Sequence, residues 1–579
     1  MAAAVLLCCG VAQAQTALPA SNDGGTAVFA PRVLSAADAR RYREIFHDER
    51  VGRFVHARGL IASLSDRSLM GYVEAEHYLS PHSGRTRAAE LNRWLAQYGD
   101  LSIAERVRDL SERRTRRKGR IPAAPPLRWR GGGYEDEESP APPLASEAAR
   151  DVAPAIAAAI QTDRPADAAA LLKSLASDPT AAPSDLARLT ERVTASYVAE
   201  GMDAEAYALA DGADANMRAV APMLDWCAGL SAYRLGRYDD AARHFAALAD
   251  IGSVPDYTRA AAAFWAARSD MRAGRPQPVV SLLVAAAREQ PSFYGLIAAR
   301  LLGENQGGGF RDPELNRVHF ESLMRVPAAH RAVALWQVGE TDDVANEMNR
   351  AFAQIGPGDG AGFAALARLM VLPDLELRIS ETEAAHGVML TSLFPVPRYA
   401  PQDGYRLDPS LVLAIARVES RFRSDAVSGA GARGLMQLMP GTARHLAGRP
   451  VSEDALEDPT TNLTLGQRYL RELLSRVNGN LFELAAAYNA GPANLSRWLV
   501  GGAGAKNDPL LFVESVPSPE TRAYIKRFMM YHWLYRRRLQ QNAPTLDETA
   551  SGKWPTYHPQ SVPVASVPAA VQSFDAASN

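Results

Sequence analysis

The segment WCAGLSAYRLGRYDDAARHFAALA, residues 226–249, decides the fold class, because it has the pattern of two short helices joined by a turn. Small and apolar side chains recur at helical spacing on both sides of Gly236. A glycine at that point supplies the backbone freedom that a tight turn between helices requires. The segment therefore predicts a helical hairpin.

Similar glycine turns recur along residues 35–390, where strand-like alternation of Val, Ile and Thr is scarce. The four turns are centred on Gly201, Gly236, Gly274 and Gly339. The first three are separated by 35 and 38 residues, as in a degenerate tetratricopeptide-like array. Stacked helical hairpins of this kind bury one continuous core and curve into a superhelix. We expect an all-α fold with an α-superhelix over residues 35–390.

The charge of the chain excludes some partners. Its 63 basic and 65 acidic residues give a net charge of −2, which provides no general attraction to nucleic acid or to an anionic membrane. A basic block followed by an acidic block lies among Pro and Gly in residues 113–143, and it is typical of a solvated loop. No continuous apolar run reaches the roughly 18 to 20 residues of a membrane span. We expect neither a nucleic-acid partner nor a transmembrane segment.

The first residues, MAAAVLLCCGVAQAQTA, indicate export. A short apolar run precedes an A-x-A-like pattern, which predicts a signal peptide over residues 1–14. No Lys or Arg precedes the run, which favours a true start codon further upstream. Cleavage would leave Cys227 as the one cysteine, so no internal disulfide can form. Lipidation at Cys8 or Cys9 is the alternative.

A change of composition marks a second domain. The stretch FPVPRYAPQDGYRLDPS, residues 394–410, holds four prolines and interrupts the helical pattern. Asp408 is placed to cap a following helix, with Pro409 at its first position. We expect a compact domain over residues 391–545. The Ser/Pro/Ala-rich residues 546–579 predict a disordered tail.

The helix that follows Asp408 contains LAIARVESRF, residues 413–422, in which Glu419 is the only acid. Its predicted apolar stripe consists of Leu411, Ile415, Val418 and Phe422. Glu419 would lie on the flank of that stripe, where a carboxylate can face a cleft floor. The alternative is an ordinary surface pair with Arg423, four residues further on.

A glycine-rich loop comes next, VSGAGARGLMQLMPGTA, residues 427–443. No Gly-Lys-Ser/Thr follows its glycines, which excludes a phosphate loop. Gln437 lies between apolar residues. The nearby Met436 and Met439 either belong to the site or simply fill the core.

Two later segments add polar groups at helix ends. In LFELAAAYNAGP, residues 481–492, we expect Asn489 and Gly491 to take left-handed conformations at the end of a helix, with Tyr488 beside them. A packed tyrosine and an asparagine cap are the alternative roles there. The segment FVESVPSPETRAYIKRF, residues 512–528, places Glu514 before two prolines and Tyr524 on the next amphipathic helix.

These blocks together, E-S-x-F, S-G-A-G-A-x-G-L-M-Q-L-M-P-G-T-A, N-L-x-L-G-x-x-Y-L, A-A-Y-N-A-G-P and F-V-E-S-V-P-x-x-E-T-R-x-Y, strongly resemble the soluble lytic transglycosylases. Their order and spacing match over residues 394–540. The preceding helical region is also similar to that family's superhelical part, more loosely, through GYVEAEHYL and PSFYGLIAARLLG.

The resemblance implies a goose-lysozyme-like, mostly helical catalytic domain, attached to a superhelix and located in the periplasm. Family members cleave the β-1,4 bond between N-acetylmuramic acid and N-acetylglucosamine in peptidoglycan, and they leave a 1,6-anhydromuramyl end without using water. By resemblance Glu419 is the sole catalytic residue. The residues that line the glycan groove or support the site would be Ser428, Gln437, Met439, Tyr488, Asn489, Glu514 and Tyr524. We expect no cofactor, and no metal, since the sequence shows no metal-ligand spacing such as HExxH.

A single carboxyl group is sufficient for this reaction. Glu419 can donate a proton to the leaving oxygen and then accept one from the muramyl C6 hydroxyl, which attacks its own anomeric carbon. For that role its pKa should lie above the free value of ~4.3. We therefore expect Arg423 to point away from Glu419. Glu514 is the rival catalytic acid.

Two other functions stay open. A hydrolytic muramidase on the same fold would release reducing muramyl ends through an activated water. A helical-repeat scaffold with a degenerate catalytic domain would bind peptidoglycan or protein partners without turnover. Peptidoglycan strands are the expected partner, and the superhelix offers a further surface for cell-wall synthesis or remodelling proteins.

Overall fold

A computed structural model describes residues 31–114, 142–289, 291–304, 310–356, 358–500 and 507–559. Across these ranges the chain forms 29 α-helices and two short 3₁₀ turns, and its only β-type pairings are isolated bridges. The prediction of an all-α fold is confirmed. None of the helices in the same ranges is long and apolar enough to cross a membrane.

The first helices are α1 Ala36–Val51, α2 Phe54–Ala62, α3 Met70–Leu79, α4 Ala88–Tyr98, α5 Ala104–Arg114, α6 Glu147–Gln161, α7 Pro165–Ala176, α8 Pro183–Ala199, α9 Asp203–Asp211 and α10 Ala215–Val220. They are followed by α11 Met223–Arg234, α12 Tyr238–Ala249, α13 Asp256–Arg272, α14 Val279–Arg288, α15 Phe293–Leu301, α16 Arg317–Leu323, α17 Pro327–Val338, α18 Val344–Phe352, α19 Gly360–Leu369 and α20 Pro373–Ala385. The last helices are α21 Pro409–Ser420, α22 Pro440–Ala447, α23 Glu453–Glu457, α24 Pro459–Arg476, α25 Leu481–Ala490, α26 Pro492–Val500, α27 Pro509–Ser515, α28 Pro519–Arg538 and α29 Pro544–Ala550. The 3₁₀ turns are Thr341–Asp343 and Thr391–Leu393.

The chain folds into two compact units. Of the described residues, the smaller unit combines 31–114 with 315–351, and the larger unit combines 142–314 with 352–559. This division differs from the boundary predicted near residue 391. In the larger unit Phe293 of α15 stacks on Trp533 of α28 at 5.3 Å and lies 6.1 Å from Phe482 of α25, measured between ring centroids. The helical hairpins of residues 142–304, here called the hairpin region, and the last helices therefore share one core.

The predicted glycine turns are confirmed. Gly201, Gly236 and Gly274 have φ of 70°, 78° and 75°, the left-handed region that glycine enters at little cost. They join α8 to α9, α11 to α12 and α13 to α14. Gly339, with φ of 84°, follows α17 in the smaller unit.

The hairpin of α11 and α12 requires small residues where its two helices pack closely. Gly229 of α11 lies against the ring of Phe245 on α12, and a Cβ at that position would come within 2.8 Å of the ring. The same ring lies 5.3 Å from Trp226 and 6.0 Å from Trp265 of α13. Aromatic side chains thus carry the contact from one hairpin to the next.

The prediction of a disordered tail is wrong for residues 546–559. These residues complete α29 and continue as an extended segment, in which Leu481 N–H donates to the carbonyl of Pro555 at 2.9 Å. Trp554 packs on Phe512 with ring centroids 5.4 Å apart. The Ser/Pro/Ala-rich composition favours disorder, but the segment contains a few aromatic residues that anchor it.

Three predictions fall on residues outside the described ranges. The signal peptide over residues 1–14 and the remainder of the tail, 560–579, lie there. The loop predicted over residues 113–143 lies there from 115 to 141, whereas Arg113 and Arg114 belong to the last turn of α5.

Candidate active site

The start of α21 is fixed in the predicted way. The Asp408 carboxylate accepts a hydrogen bond from Ser410 N–H at 3.0 Å, and Pro409 is the first helical residue. Asp408 also forms a fully buried ion pair with Arg536 of α28, at 2.8 Å. Because α28 holds α21 by this pair, the position of Glu419 at the other end of α21 is set by the core.

The end of α21 differs from the prediction. The helix stops at Ser420, and the next two residues, Arg421 and Phe422, have φ of 53° and 66°. Left-handed conformations at two consecutive non-glycine residues cost roughly 1–2 kcal/mol each. Phe422 is buried, as expected, although it lies beyond the helix. The turn removes Arg423 from the helical face of Glu419, so the prediction of a helical stripe reaching Phe422 is wrong.

Arg423 is exposed, and among the described residues no ion pair joins it to Glu419. The rival interpretation of Glu419 as one half of a helical surface pair therefore loses its structural basis. Ser420 Oγ, at the end of the helix, donates to the carbonyl of Leu435 at 2.8 Å. This contact attaches the end of α21 to the glycine-rich loop.

Glu419 is a half-buried carboxyl group with one hydrogen-bond donor among the described residues. Tyr524 Oη of α28 donates to Glu419 Oε1 at 2.6 Å. Burial raises the pKa of Glu419 to about 7, the Tyr524 hydrogen bond opposes that rise, and the charge of Glu520 adds to it. The pKa of Tyr524 is raised by its own burial and by the charge of Glu419, so the phenol stays a neutral donor.

A second tyrosine supports this contact. The Tyr488 ring of α25 stacks on Tyr524, with centroids 6.4 Å apart and planes 12° apart. Its hydroxyl donates to the carbonyl of Met436 at 2.7 Å. Tyr488 therefore links the glycine-rich loop to the tyrosine that contacts Glu419.

The glycine-rich loop is held by its own polar side chains. Ser428 Oγ accepts from Ala432 N–H at 3.0 Å and closes a tight turn. Gln437 has φ of 44°, and its amide nitrogen donates to the carbonyls of Ala426 and Gly434 at 3.0 and 2.9 Å. The two predicted residues thus fix the conformation of the loop.

Asn462 of α24 is a site residue that was not among those predicted from the sequence, although it begins the N-L-x-L-G block. Its side chain is fully buried, its oxygen accepts from Met436 N–H at 2.8 Å, and its nitrogen donates to the carbonyls of Arg433 and Leu456 at 3.0 and 2.7 Å. A Cβ on Gly434 would lie 2.3 Å from that nitrogen. An asparagine that satisfies several backbone groups of a loop is the signal that would have identified it.

The two methionines of the loop have different surroundings. Met436 is fully buried, and a Cβ on Gly466 of α24 would lie 2.0 Å from its sulfur, so it fills the core. Met439, the residue before α22, is 43% exposed. Of the two, Met439 alone offers an apolar surface to a ligand.

Asn489 is joined to the start of α28. Its oxygen accepts from Thr521 Oγ1 at 2.6 Å, and its nitrogen donates to Glu520 Oε1 at 3.2 Å. The expected left-handed conformation of Asn489 is wrong, because α25 continues through Ala490. Gly491 has a positive φ of 85°, as expected, but its ψ of 150° lies outside the left-handed helical region.

Glu514 on α27 belongs to a separate group of contacts. It is 2% exposed, it accepts from Tyr294 Oη at 2.6 Å, and its second partner is the ammonium of Lys526 at 3.1 Å. Glu514 and Glu419 contact the same helix, α28, through Lys526 and Tyr524 respectively.

In this all-α part of the chain, Glu419 has a raised pKa and accepts a hydrogen bond from Tyr524, on which Tyr488 stacks. Residues 399–509 match the family described as "Transglycosylase SLT domain". The match assigns residues 399–509 of this chain to that domain family.

Curated relatives match the same part of the chain. The soluble lytic murein transglycosylase of Escherichia coli K12 is 38% identical over 156 residues, which are 26% of this chain and 24% of the relative. That of Salmonella typhimurium is 37% identical over 151 residues, 25% of this chain and 23% of the relative. The chain thus spans about a quarter of the length of the curated relatives it matches.

Two solved structures share the fold over most of the chain. The lytic transglycosylase Slt of Pseudomonas aeruginosa, in an inactive mutant form, superposes with a TM-score of 0.53 at 23% identity, covering 88% of this chain and 72% of that one. The 70 kDa soluble lytic transglycosylase of Escherichia coli gives a TM-score of 0.53 at 19% identity, covering 90% of this chain and 99% of that one.

Proposed function

We propose that this protein is a lytic transglycosylase that cleaves the β-1,4 bond between N-acetylmuramic acid and N-acetylglucosamine in peptidoglycan. Glu419 acts first as general acid and then as general base, and the product is a 1,6-anhydromuramyl end. The observation that carries the proposal is the half-buried carboxyl group of Glu419, with a pKa raised to about 7 and a tyrosine hydroxyl at 2.6 Å.

A pKa near the working pH suits a group that must both give and accept a proton. At neutral pH a substantial fraction of Glu419 is protonated and can protonate the leaving oxygen. The carboxylate that results is stabilised by the Tyr524 hydroxyl and is basic enough to take the proton of the C6 hydroxyl. The attack is intramolecular, so no second carboxylate is needed to activate water.

The inactive mutant of the Pseudomonas enzyme supports the choice of a glutamate, because its substitution replaces a glutamate with glutamine. Glu514 is the weaker candidate. Its carboxyl group is buried and already paired with Tyr294 and Lys526, which withholds it from substrate. We assign Glu514 to supporting the site.

The remaining residues divide between supporting and lining roles. Ser428, Gln437 and Tyr488 hold the loop and the tyrosine pair, while Asn489 fixes the start of α28. The exposed Met439 lines the glycan groove. We further propose that the signal peptide directs the enzyme to the periplasm, where its substrate lies, and that the hairpin region offers a surface to glycan strands or to cell-wall proteins.

The test is mass spectrometry of the muropeptides released from purified peptidoglycan by the wild type and by Glu419→Gln. Anhydromuramyl products that disappear in the variant are the expected result. Products heavier by one water would identify a hydrolytic muramidase. Folded wild-type protein that releases no product would overturn enzymatic function and favour the binding scaffold.

A further inference from the structure

The end of α1, in the smaller unit, holds a cluster of three metal-ligating side chains. Glu44 and Asp48 are four residues apart on one face of α1, and His56 lies in the first turn of α2. His56 Nδ1 is 2.6 Å from Asp48 Oδ2 and 3.9 Å from Glu44 Oε1. One ligand atom from each of the three lies within 4.8 Å of the others.

Two features of this cluster suit a cation, namely a buried carboxylate and its place at the end of a helix. The Asp48 side chain is 2% exposed, yet it lies in the last turn of α1, where the helix dipole places partial negative charge. Glu49, next to it, is also buried. The basic residue of this turn, Arg50, is paired with Glu340. Buried carboxylates in such a position are stabilised by a paired cation or a bound metal.

We propose that Glu44, Asp48 and His56 bind a divalent cation of the zinc class. Zinc binds imidazole nitrogen and carboxylate oxygen at ~2.0–2.2 Å, which places two ligand atoms of a tetrahedral site about 3.4 Å apart. The two distances from His56 Nδ1 lie on either side of that value, and each differs from it by less than 1 Å. With the metal on Nδ1, the neutral imidazole carries its proton on Nε2.

The ligand set also selects the metal. Calcium and magnesium prefer sites made entirely of oxygen, whereas an imidazole suits zinc and its transition-metal neighbours. Access comes from a cavity of about 430 Å³ that borders His56. The residues that line it are Gly52, Arg53, Phe54, Val55, His56, Arg58 and His77. The Glu44 and His56 side chains are 54% and 58% exposed, which leaves room for waters in the remaining positions.

The same region offers a matched control. His77 on α3 pairs with the buried Glu49 at 2.8 Å and lines the same cavity, but it belongs to no three-residue group of metal ligands among the described parts of the chain. His77→Ala therefore removes a histidine–carboxylate pair while leaving the proposed site intact. The proposal does not depend on the enzymatic function, because all of its residues lie in the smaller unit.

The experiment is calorimetric titration of the full chain, treated with chelator and dialysed, with zinc chloride. We expect the wild type to bind one more equivalent than His56→Ala, and Glu44→Gln to weaken that equivalent about tenfold. His77→Ala should bind as the wild type does, and magnesium chloride should give no heat from this site. In the absence of metal, Glu44→Gln should unfold near the wild-type midpoint because its side chain is 54% exposed, whereas His56→Ala should unfold at a lower temperature because it removes a partner of the buried Asp48.

Equal zinc stoichiometry and affinity in the wild type and His56→Ala would overturn the proposal. Loss of the same equivalent in His77→Ala would also overturn it, because the cavity rather than the three-residue group would then hold the metal.

Discussion

Glu419 and Glu514 are two glutamates in similar positions with opposite chemical surroundings. Each accepts a hydrogen bond of 2.6 Å from a tyrosine hydroxyl, Tyr524 in one case and Tyr294 in the other. Each contacts α28. Glu514 has in addition an ammonium group, that of Lys526, at 3.1 Å.

The difference shows how one helix, α28, can hold one glutamate in an ion pair and another beside a neutral phenol. Glu514 is held in an ion pair with the Lys526 ammonium. Glu419 has burial and a neutral phenol instead, and burial raises its pKa to about 7. A carboxyl group becomes useful for acid–base catalysis when no cation is in contact with it, and the following predictions test that contrast.

The largest effect is expected for Glu419→Gln, which keeps the shape of the side chain and removes the proton. Turnover of purified peptidoglycan should fall by about 10³-fold or more, since one group serves both proton transfers. The release of anhydromuropeptides, followed by mass spectrometry, measures it. Glu514→Gln is the comparison, and an inactive Glu514→Gln beside an active Glu419→Gln would reverse the assignment.

The next effect concerns the Glu514 pair. Lys526→Met leaves a buried carboxylate with the Tyr294 hydroxyl as its remaining side-chain donor, and it should lower the free energy of unfolding by about 2 kcal/mol. Urea unfolding measures the loss. In the Lys526→Met/Glu514→Gln double variant the unpaired charge is gone, so part of the stability should return. Losses that simply add would contradict a coupled pair.

A smaller effect, of opposite sign, is expected for stability at Glu419. Its pKa is about 7 in the folded chain against 4.5 for the free group, so the folded state binds the proton more tightly. The free energy of unfolding therefore decreases as the pH rises from about 4.5 to about 7. Glu419→Gln removes this penalty, and at pH 8 it should be more stable than the wild type by about 1–2 kcal/mol. At pH 4 the difference should vanish, and a gain of equal size at both pH values would contradict the raised pKa.

The smallest effect is expected for Tyr524→Phe. The Tyr524 hydroxyl lowers the pKa of Glu419, so its removal should raise that pKa further. The wild-type rate should fall as the pH rises past about 7, where the acid form of Glu419 is lost, and in Tyr524→Phe this fall should move to higher pH. The pH profile of kcat/KM measures the shift. Tyr488→Phe removes a hydroxyl that bonds to the carbonyl of Met436 rather than to Glu419, so it should leave the position of the fall nearly unchanged.

The sequence predicted the features that depend on local backbone chemistry. The cap at Asp408, the proline at the first position of α21 and the glycine turns at Gly201, Gly236 and Gly274 were all correct. Each depends on a residue type whose conformational preference is strong enough to act without tertiary support.

Features that depend on distant partners could not be predicted in this way. Arg421 and Phe422 adopt positive φ angles, which non-glycine residues disfavour. Contacts such as that of Ser420 with Leu435 stabilise this turn. The cluster of Glu44, Asp48 and His56 is separated by a turn, so no contiguous metal motif exists.

The extended segment after α29 also determines when the Glu419 domain is complete. Asp408 N–H donates to Tyr557 Oη at 2.9 Å, and Tyr557 N–H donates to the carbonyl of Gly479 at 2.8 Å. The residue that caps the helix of Glu419 is thus held by one that the ribosome adds about 150 residues later. During synthesis the proton-transferring glutamate is made well before the contact that secures its helix, so the domain reaches its finished form only when the chain has passed Tyr557.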